Sequence, residues 1–168
     1  MNKKTIFQIA IGEIPEKIKF YMDSVKRWCD NNEYQYVLLT KMSNWCIKNK
    51  LSPVVASEWM RIELLIENPY SCFVDWGIEI KDEIILGDDP LLFPFFDQFV
   101  YNGNNTELFK SVYRKMIERK TKSRDEWKDE IGIIYKAFRS VNFDRSWLKD
   151  SNGLYVHNQT KNVKELGE

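Results

Sequence analysis

Long hydrophobic segments, excess charge of one sign and metal-binding sequence motifs are all lacking in this 168-residue chain. Apolar runs such as residues 84–86 and 91–96 are far shorter than the roughly 20 residues that cross a bilayer, so we predict no membrane span. Lysine plus arginine number 25, and aspartate plus glutamate also number 25. This neutral balance excludes a global attraction to nucleic acid or to anionic membranes.

Cysteine and histidine are scarce as well. Cys29, Cys46 and Cys72 are widely spaced and form no Cys-x-x-Cys pair of the kind found in zinc and redox sites. Polar Gln8 and Glu13 interrupt the first apolar residues, which makes a poor signal-peptide core. We therefore interpret the cysteines as reduced core thiols of a cytoplasmic protein.

Apolar residues are abundant enough for a sizeable core. They make up 43% of the chain and aromatic residues 14%, which together with zero net charge excludes a disordered chain. The length fits one domain of ordinary size. We predict a single domain over residues 1–157 and a polar tail over residues 158–168.

The order of the predicted elements indicates an α/β fold. A β-rich run at residues 5–12, a helix opened by Pro15 and a second β-rich run at residues 34–40 predict a parallel strand pair with a right-handed crossover. The further predicted elements are helices over 42–50, 54–67, 106–120 (capped by Thr106) and 124–139 (capped by Ser123), strands over 70–76, 98–101 and 154–157, a strand pair over 78–86, a turn over 87–90 and a packed loop over 91–96. The first half is thus predicted to be a three-layer α/β structure, and the second half to be rich in helix.

Two strand ends carry the candidate chemistry, because open α/β sheets bind ligands at the carboxyl ends of their strands. The two places are residues 8–12, at the end of the first strand, and residues 75–79, at and just beyond the end of the third. A carboxylate such as Asp75 at a strand end is a natural contact for Mg²⁺ or Mn²⁺, which prefer oxygen ligands and share them with substrate phosphates. The alternative interpretation is structural: Asp75 caps a turn whose positive φ is supplied by Gly77.

The predicted helix over residues 54–67 leads directly into the strand that carries Asp75. At about 100° per residue, Ser57, Glu58 and Arg61 lie together on one flank of its apolar stripe. Because Glu58 and Arg61 are three residues apart, the pair is equally typical of a solvated ion pair. The position of the helix favours the functional interpretation, in which this flank faces the crevice near Asp75.

Two features in the second half of the chain each allow both a functional interpretation and a purely structural one. His157, the only histidine, precedes polar residues 158–162, which suit either a loop over phosphates or a frayed tail. A basic stretch over residues 110–124 is typical of a solvated helix face; the alternative is a patch for a phosphate-rich acceptor. Its cationic residues are Lys110, Arg114, Lys115, Arg119, Lys120, Lys122 and Arg124.

Taken in order, these motifs resemble the DXD-containing glycosyltransferases of the mannosyltransferase and capsular-polysaccharide synthesis group and, more remotely, the sugar-transferring domains of large clostridial toxins. That family opens with a strand of the type I-x-Q-I-W-I-G, then a Pro and a helix. The chain is similar at this place, with Phe7-Gln8-Ile9-Ala10-Ile11-Gly12 followed by Ile14-Pro15. Its second block, S-D-x-x-R-x-x-x-L before a strand ending in D-x-D, is similar to residues 57–65 followed by residues 70–75. A late His is common in the family, and Val156-His157 stands in the corresponding place.

The resemblance implies a GT-A-like fold with a mostly parallel central sheet. It also implies transfer of a sugar from a nucleoside-diphosphate sugar to an acceptor hydroxyl, on a glycan or on a modified DNA base. The residues implied to contact the donor are Gln8, Ile9, Ser57, Glu58, Arg61, Asp75 and His157. The ligands implied for a Mn²⁺ or Mg²⁺ cofactor are Asp75, Glu79 and His157.

The chain departs from the family pattern at four places. Ala10 replaces a base-stacking Trp, Glu58 replaces the helix Asp, residues 69–70 replace a Gly-Gly turn, and Gly77 replaces the second Asp of D-x-D. Gly77 removes a metal ligand, for which Glu79 and solvent are the candidate replacements. Three interpretations stay open: an active glycosyltransferase, a non-catalytic relative that binds a nucleotide or a protein, and a DNA-directed enzyme.

Overall fold

The computed structural model describes residues 4–81, 84–93, 96 and 98–149, and the backbone of residues 155–157. The strands are β1 (Thr5–Ile9), β2 (Gln35–Leu39), β3 (Ser71–Val74), β4 (Ile78–Ile80), β5 (Leu91–Leu92), β6 (Phe99–Tyr101) and β7 (Tyr155–His157). The α-helices are α1 (Glu16–Asn31), α2 (Asn44–Lys48), α3 (Pro53–Glu67), α4 (Thr106–Lys122) and α5 (Ile133–Arg139), with short 3₁₀ helices at Glu126–Asp129 and Arg145–Trp147.

A five-stranded mixed sheet forms the centre of the fold, in the order β2-β1-β3-β6-β5. Strand β1 pairs in parallel with both β2 and β3, which confirms the parallel pair predicted from the first forty residues. Strand β6 runs antiparallel to both β3 and β5. Strands β4 and β7 form a separate antiparallel pair.

Side chains that alternate along the strands divide the core into two layers, one on each face of the sheet. Ile6 and Cys72 belong to the cluster that packs under α1. Ile9 and Phe73 belong to the larger cluster, which includes residues of α3, α4 and α5. The helices therefore cover both faces, and the predicted three-layer α/β fold is confirmed.

Helices α1 and α3 begin where their local signals predict. Helix α1 follows Pro15, and α3 begins with Pro53 at its first position. Ser52 caps α3 with its hydroxyl, which accepts the N–H of Val55 at 3.4 Å. Such a cap satisfies one of the free amides of the first turn and sets the start of the helix that carries the polar flank.

The predicted helix over residues 124–139 is confirmed over residues 133–139 and is wrong over residues 124–132. Gly132 has a φ of 83°, a left-handed conformation that interrupts the helix and leaves only the seven residues of α5 beyond it. Ser123 follows the last residue of α4 and caps no new helix. Helix α4 itself is capped by the side chain of Asn105 and not by Thr106.

The predicted strand pair over residues 78–86 is wrong as well, since β4 pairs with β7, far along the chain. Residues 91–96, predicted as a packed loop, include the two-residue strand β5. None of the helices within the described residues is long and apolar enough to cross a bilayer. The predicted tail over residues 158–168 lies outside the described residues.

All three cysteines are free and buried, as the sequence predicted. Burial raises the pKa of the Cys29 thiol to about 12, and it raises the pKa of Cys72 as well. Since the thiolate is the reactive form of cysteine, these two side chains are inert at neutral pH.

Candidate functional site

A pocket of about 220 Å³ lies at the carboxyl ends of β1 and β3. The chain passes from β1 to β2 on one side, then crosses to β3 on the other, so the strand order reverses at β1. Open α/β sheets bind ligands at such a switch point, because the loops diverge there and leave a crevice. The pocket is lined by Ile9, Ile11, Pro53, Val54, Ser57, Glu58, Arg61, Asp75, Trp76, Ile131 and Gly132.

Helix α3 supplies the polar floor of the pocket. Ser57, Glu58 and Arg61 all line it, as the predicted polar flank required. Arg61 donates from Nη2 to the hydroxyl of Ser57 at 3.0 Å, and its guanidinium lies 4.0 Å from the centre of the Phe73 ring. Glu58 is only 5% exposed and Arg61 only 7%. These values exclude the alternative interpretation, in which the two residues form a solvated ion pair on the surface.

Glu58 binds the start of α5. Its carboxylate oxygens accept the N–H of Gly132 at 3.1 and 3.0 Å, and one of them accepts the N–H of Ile134 at 3.4 Å. The first amides of a helix have no partner within the helix, and they carry partial positive charge that favours a carboxylate. This contact brings Ile131 and Gly132 to the pocket from a segment more than 70 residues away from Glu58.

Asp75 follows β3 directly and lines the pocket beside Trp76. Its Oδ1 accepts the N–H of Trp76 at 2.9 Å, and its own N–H donates to the carbonyl of Gln98 at 2.8 Å. The position of Asp75 therefore fits both the structural interpretation as a turn cap and the functional one as a pocket carboxylate. The positive φ predicted for Gly77 is wrong, because Gly77 is not among the described glycines with a positive φ. The ring of Trp76 packs against the cluster that contains Ala10.

Gln8 lies behind the pocket and is not among the residues that line it. It belongs to the face of β1 that carries Ile6, opposite to α3, and it is fully buried. Its Oε1 accepts the hydroxyl of Tyr36 at 2.6 Å, and its Nε2 donates to the backbone carbonyl of Asp75 at 3.1 Å. Burial raises the pKa of Tyr36, so this hydroxyl stays a donor. Gln8 thus supports the backbone of Asp75 from behind the pocket.

The predicted metal ligands are only partly brought together. Glu79 lies in β4 opposite Val156 and outside the pocket lining, and the backbone of His157 lies opposite Ile78. The pairing of β4 with β7 thus brings His157 next to the segment that follows Asp75. Among the side chains that the structure describes, no three His, Cys, Asp or Glu residues converge as a metal site.

Four of the eleven residues that line the pocket lie outside the residues and strand ends predicted from the sequence. Pro53 and Val54 stand at the start of α3, one turn before Ser57, and their place was readable from the helical period. Ile131 and Gly132 were hidden inside a predicted helix, where the glycine was the one available sign of a break.

Three cationic residues of the basic stretch over residues 110–124 are paired with carboxylates. Lys110 bonds Glu107 at 2.9 Å, Lys115 lies 3.4 Å from Glu118, and Arg119 bonds Glu130 at 2.8 Å. Two of these pairs lie along α4 at a spacing of three residues, which is typical of a solvated helix face.

Comparison with known proteins gives structural matches alone. No protein-family model matches the chain, and no curated protein sequence matches it. The structure is similar to that of the PaToxG glycosyltransferase, with a TM-score of 0.51 and 11% identity over 82% of this chain and 69% of the other. It is also similar to a glycosyltransferase involved in the glycosylation of the major capsid of PBCV-1, with a TM-score of 0.51 and 11% identity over 96% of this chain and 98% of the other. At this identity the likeness establishes a shared fold.

Proposed function

We propose that this chain is a glycosyltransferase whose pocket at the ends of β1 and β3 binds a nucleoside-diphosphate sugar. One observation carries the proposal: five residues assigned to the donor from sequence motifs line a single pocket at the switch point of the sheet. They are Ile9, Ser57, Glu58, Arg61 and Asp75. The shared fold with two glycosyltransferases supports it independently.

The polar floor suits the parts of such a donor. The Arg61 guanidinium matches phosphate oxygens and sugar hydroxyls in a way that a lysine cannot. Ser57 and Asp75 offer hydrogen-bonding groups to ribose or sugar hydroxyls. A volume of about 220 Å³ is below the usual ~300–1,000 Å³ of pockets for drug-sized ligands, so it holds one part of the donor.

A divalent cation is part of the proposal. Asp75 would bind Mn²⁺ or Mg²⁺ together with the donor's phosphates, since such ions share protein carboxylates with substrate. Glu79 and His157 are the predicted further ligands, because Gly77 stands where the second carboxylate of D-x-D would be. When bound, the ion would offset charge on the departing diphosphate as the acceptor hydroxyl attacks the sugar.

The test is thermal stabilisation by a panel of nucleoside diphosphates and nucleotide sugars, with and without Mn²⁺. A ligand at a hundred times its Kd adds about 2.7 kcal/mol, which is about 5–11 °C for a chain of this length. We expect one nucleotide to give a Mn²⁺-dependent shift that Asp75→Asn abolishes and the exposed control Asp129→Asn retains. If no nucleotide stabilises the wild-type chain, the donor-site proposal is wrong.

A non-catalytic nucleotide-binding relative is the second candidate. Two residues favour it. Gly77 offers no carboxylate where the second Asp of D-x-D would bind a metal. Ala10, which is only 1% exposed, offers no ring to stack on a base. Both candidates predict nucleotide binding, and turnover separates them. Release of nucleoside diphosphate from any nucleotide sugar in the panel would exclude the second candidate, and binding without release would favour it.

A further inference from the structure

The pocket wall formed by Ile131 and Gly132, here called the 131–132 wall, has little support of its own. Ile131 is 68% exposed, and Gly132 has the left-handed φ that ends one turn and starts α5. Neither residue belongs to a strand or to the body of a helix. The place of this wall relative to α3 must therefore come from tertiary contacts.

Two carboxylates with little exposed side chain hold the wall at its two ends. The side chain of Glu130 is 7% exposed and bonds Arg119 of α4 at 2.8 Å and Lys136 of α5 at 2.9 Å. On the other side, Glu58 of α3 accepts the amides of Gly132 and Ile134. Glu130 thus ties the wall to the outer helices, and Glu58 ties it to the pocket floor.

Of the two contacts, the one with Glu58 joins the wall to another residue that lines the pocket. A buried carboxylate is stabilised by charge-assisted bonds to backbone amides, and these bonds are stronger than neutral ones. Removing it would leave the first amides of α5 without an acceptor in a buried place. The wall would then no longer be held in a fixed position relative to Ser57 and Arg61 on α3.

We infer that Glu58 acts as a positioning residue that anchors the 131–132 wall, although sequence motifs assign it to the donor itself. The carboxylate oxygens of Glu58 bind the start of α5 and so fix the position of Ile131. The ligand then contacts Ile131 in that position. The effect on ligand binding rests on the proposed function. The anchoring does not, because it is a property of the chain without ligand.

The anchoring is tested by amide hydrogen exchange on the chain without ligand, resolved at Gly132 and Ile134. In Glu58→Ala we expect these two amides to exchange about tenfold faster or more, while amides in the middle of α4 stay unchanged. Glu58→Gln keeps one oxygen acceptor, so its increase should be smaller. Glu63→Gln, on the same helix and outside the pocket, is the matched control and should leave both amides unchanged.

Exchange at Gly132 and Ile134 that is equal in wild type and Glu58→Gln would overturn the inference. Because Glu58→Gln keeps the shape of the side chain, it remains the deciding variant if Glu58→Ala fails to fold. A rise in exchange spread evenly over the chain would also overturn it, because that indicates general destabilisation. The expected result is a local rise confined to the start of α5.

Binding then separates positioning from direct contact, with the nucleotide that the stabilisation panel identifies. If Glu58 acts through the wall, Ile131→Ala and Glu58→Gln each raise the Kd, and the double variant raises it by less than the product of the two. Multiplicative effects would indicate direct contact and refute the positioning role. If no nucleotide binds, the proposed function fails, and the exchange result still decides the anchoring.

Discussion

Asn102 joins the two elements that carry the pocket. Its side chain is fully buried, its Oδ1 accepts the N–H of Ser71 at 2.8 Å, and its Nδ2 donates to the carbonyls of Leu65 at 2.6 Å and Asn68 at 2.7 Å. Ser71 opens β3, and the two carbonyls lie at the end of α3. One amide therefore sets the helix with the polar flank against the strand that leads to Asp75.

Asn102→Asp keeps the shape of the side chain and the acceptor for Ser71, but it replaces the donor group with an oxygen that faces two carbonyls. Each buried carbonyl left without a donor costs about 1–3 kcal/mol, and an unpaired buried charge adds to this. We expect a loss of about 3–5 kcal/mol in the free energy of unfolding, a large part of the ~5–15 kcal/mol of a domain. Such a loss lowers the Tm by about 6–20 °C.

The loss should depend on pH with a definite sign. Burial and the facing carbonyls favour the protonated form, so the introduced carboxyl has a raised pKa in the folded state. The folded state then binds more protons than the unfolded state. The loss is therefore smallest below the unfolded pKa of about 4 and grows as the pH rises through the folded pKa.

Urea unfolding of wild type and variant at several pH values measures both effects. Asn104→Asp, exposed and two residues away, is the matched control and should shift the midpoint little. The reasoning fails if Asn102→Asp lowers the midpoint no more than Asn104→Asp does. It also fails if the loss shrinks as the pH rises.

Three further predictions test other parts of the fold and site. Gly103→Ala should lower the Tm, because Gly103 has a φ of 57° and an added Cβ would lie 2.3 Å from the backbone oxygen of Asp88; Gly87→Ala, with open space around it, should change the Tm little. Arg61→Lys should raise the Kd for the nucleotide about tenfold, because lysine keeps the charge but loses the planar fork and the stacking; an unchanged Kd would place Arg61 outside the binding site. Glu130→Gln should destabilise the chain at neutral pH in chemical unfolding; burial opposes the charged form of Glu130, but its two bonded cations outweigh this and lower its pKa. The loss should disappear as the pH falls through that lowered pKa, and a loss that persists in acid would refute the assignment.

Local signals explain why the first half of the fold was predictable. Strand propensity, the helix openings at Pro15 and Pro53, and the apolar spacing between them each act within a turn or a few residues. They set the order strand, helix, strand, and the preference for a parallel pair follows from that order. The same signals failed after α4, where Ser123 looked like a cap and Gly132 was read as part of a helix.

The partner of β4 was not predictable from local pattern. Residues 84–86 are apolar and close in sequence, which favours a hairpin, but β4 pairs with β7 instead. Pairing between distant strands depends on where the intervening α4 and α5 place the chain, and no local spacing carries that information. The approach of the His157 backbone to the Asp75 segment follows from this pairing alone.

By itself, the sequence determined the α/β class, the crevice at the ends of the first and third strands, and the polar flank of Ser57, Glu58 and Arg61. Strand alternation also placed Gln8 and Ile9 on opposite faces, but which face meets α3 is a tertiary property. Only the fold decided that Ile9 lines the pocket, that Gln8 supports Asp75 from behind, and that Glu58 binds the start of α5. The physical reason is that a side chain's type and period are local, whereas the partner that satisfies a buried polar group comes from wherever the chain has been folded against it.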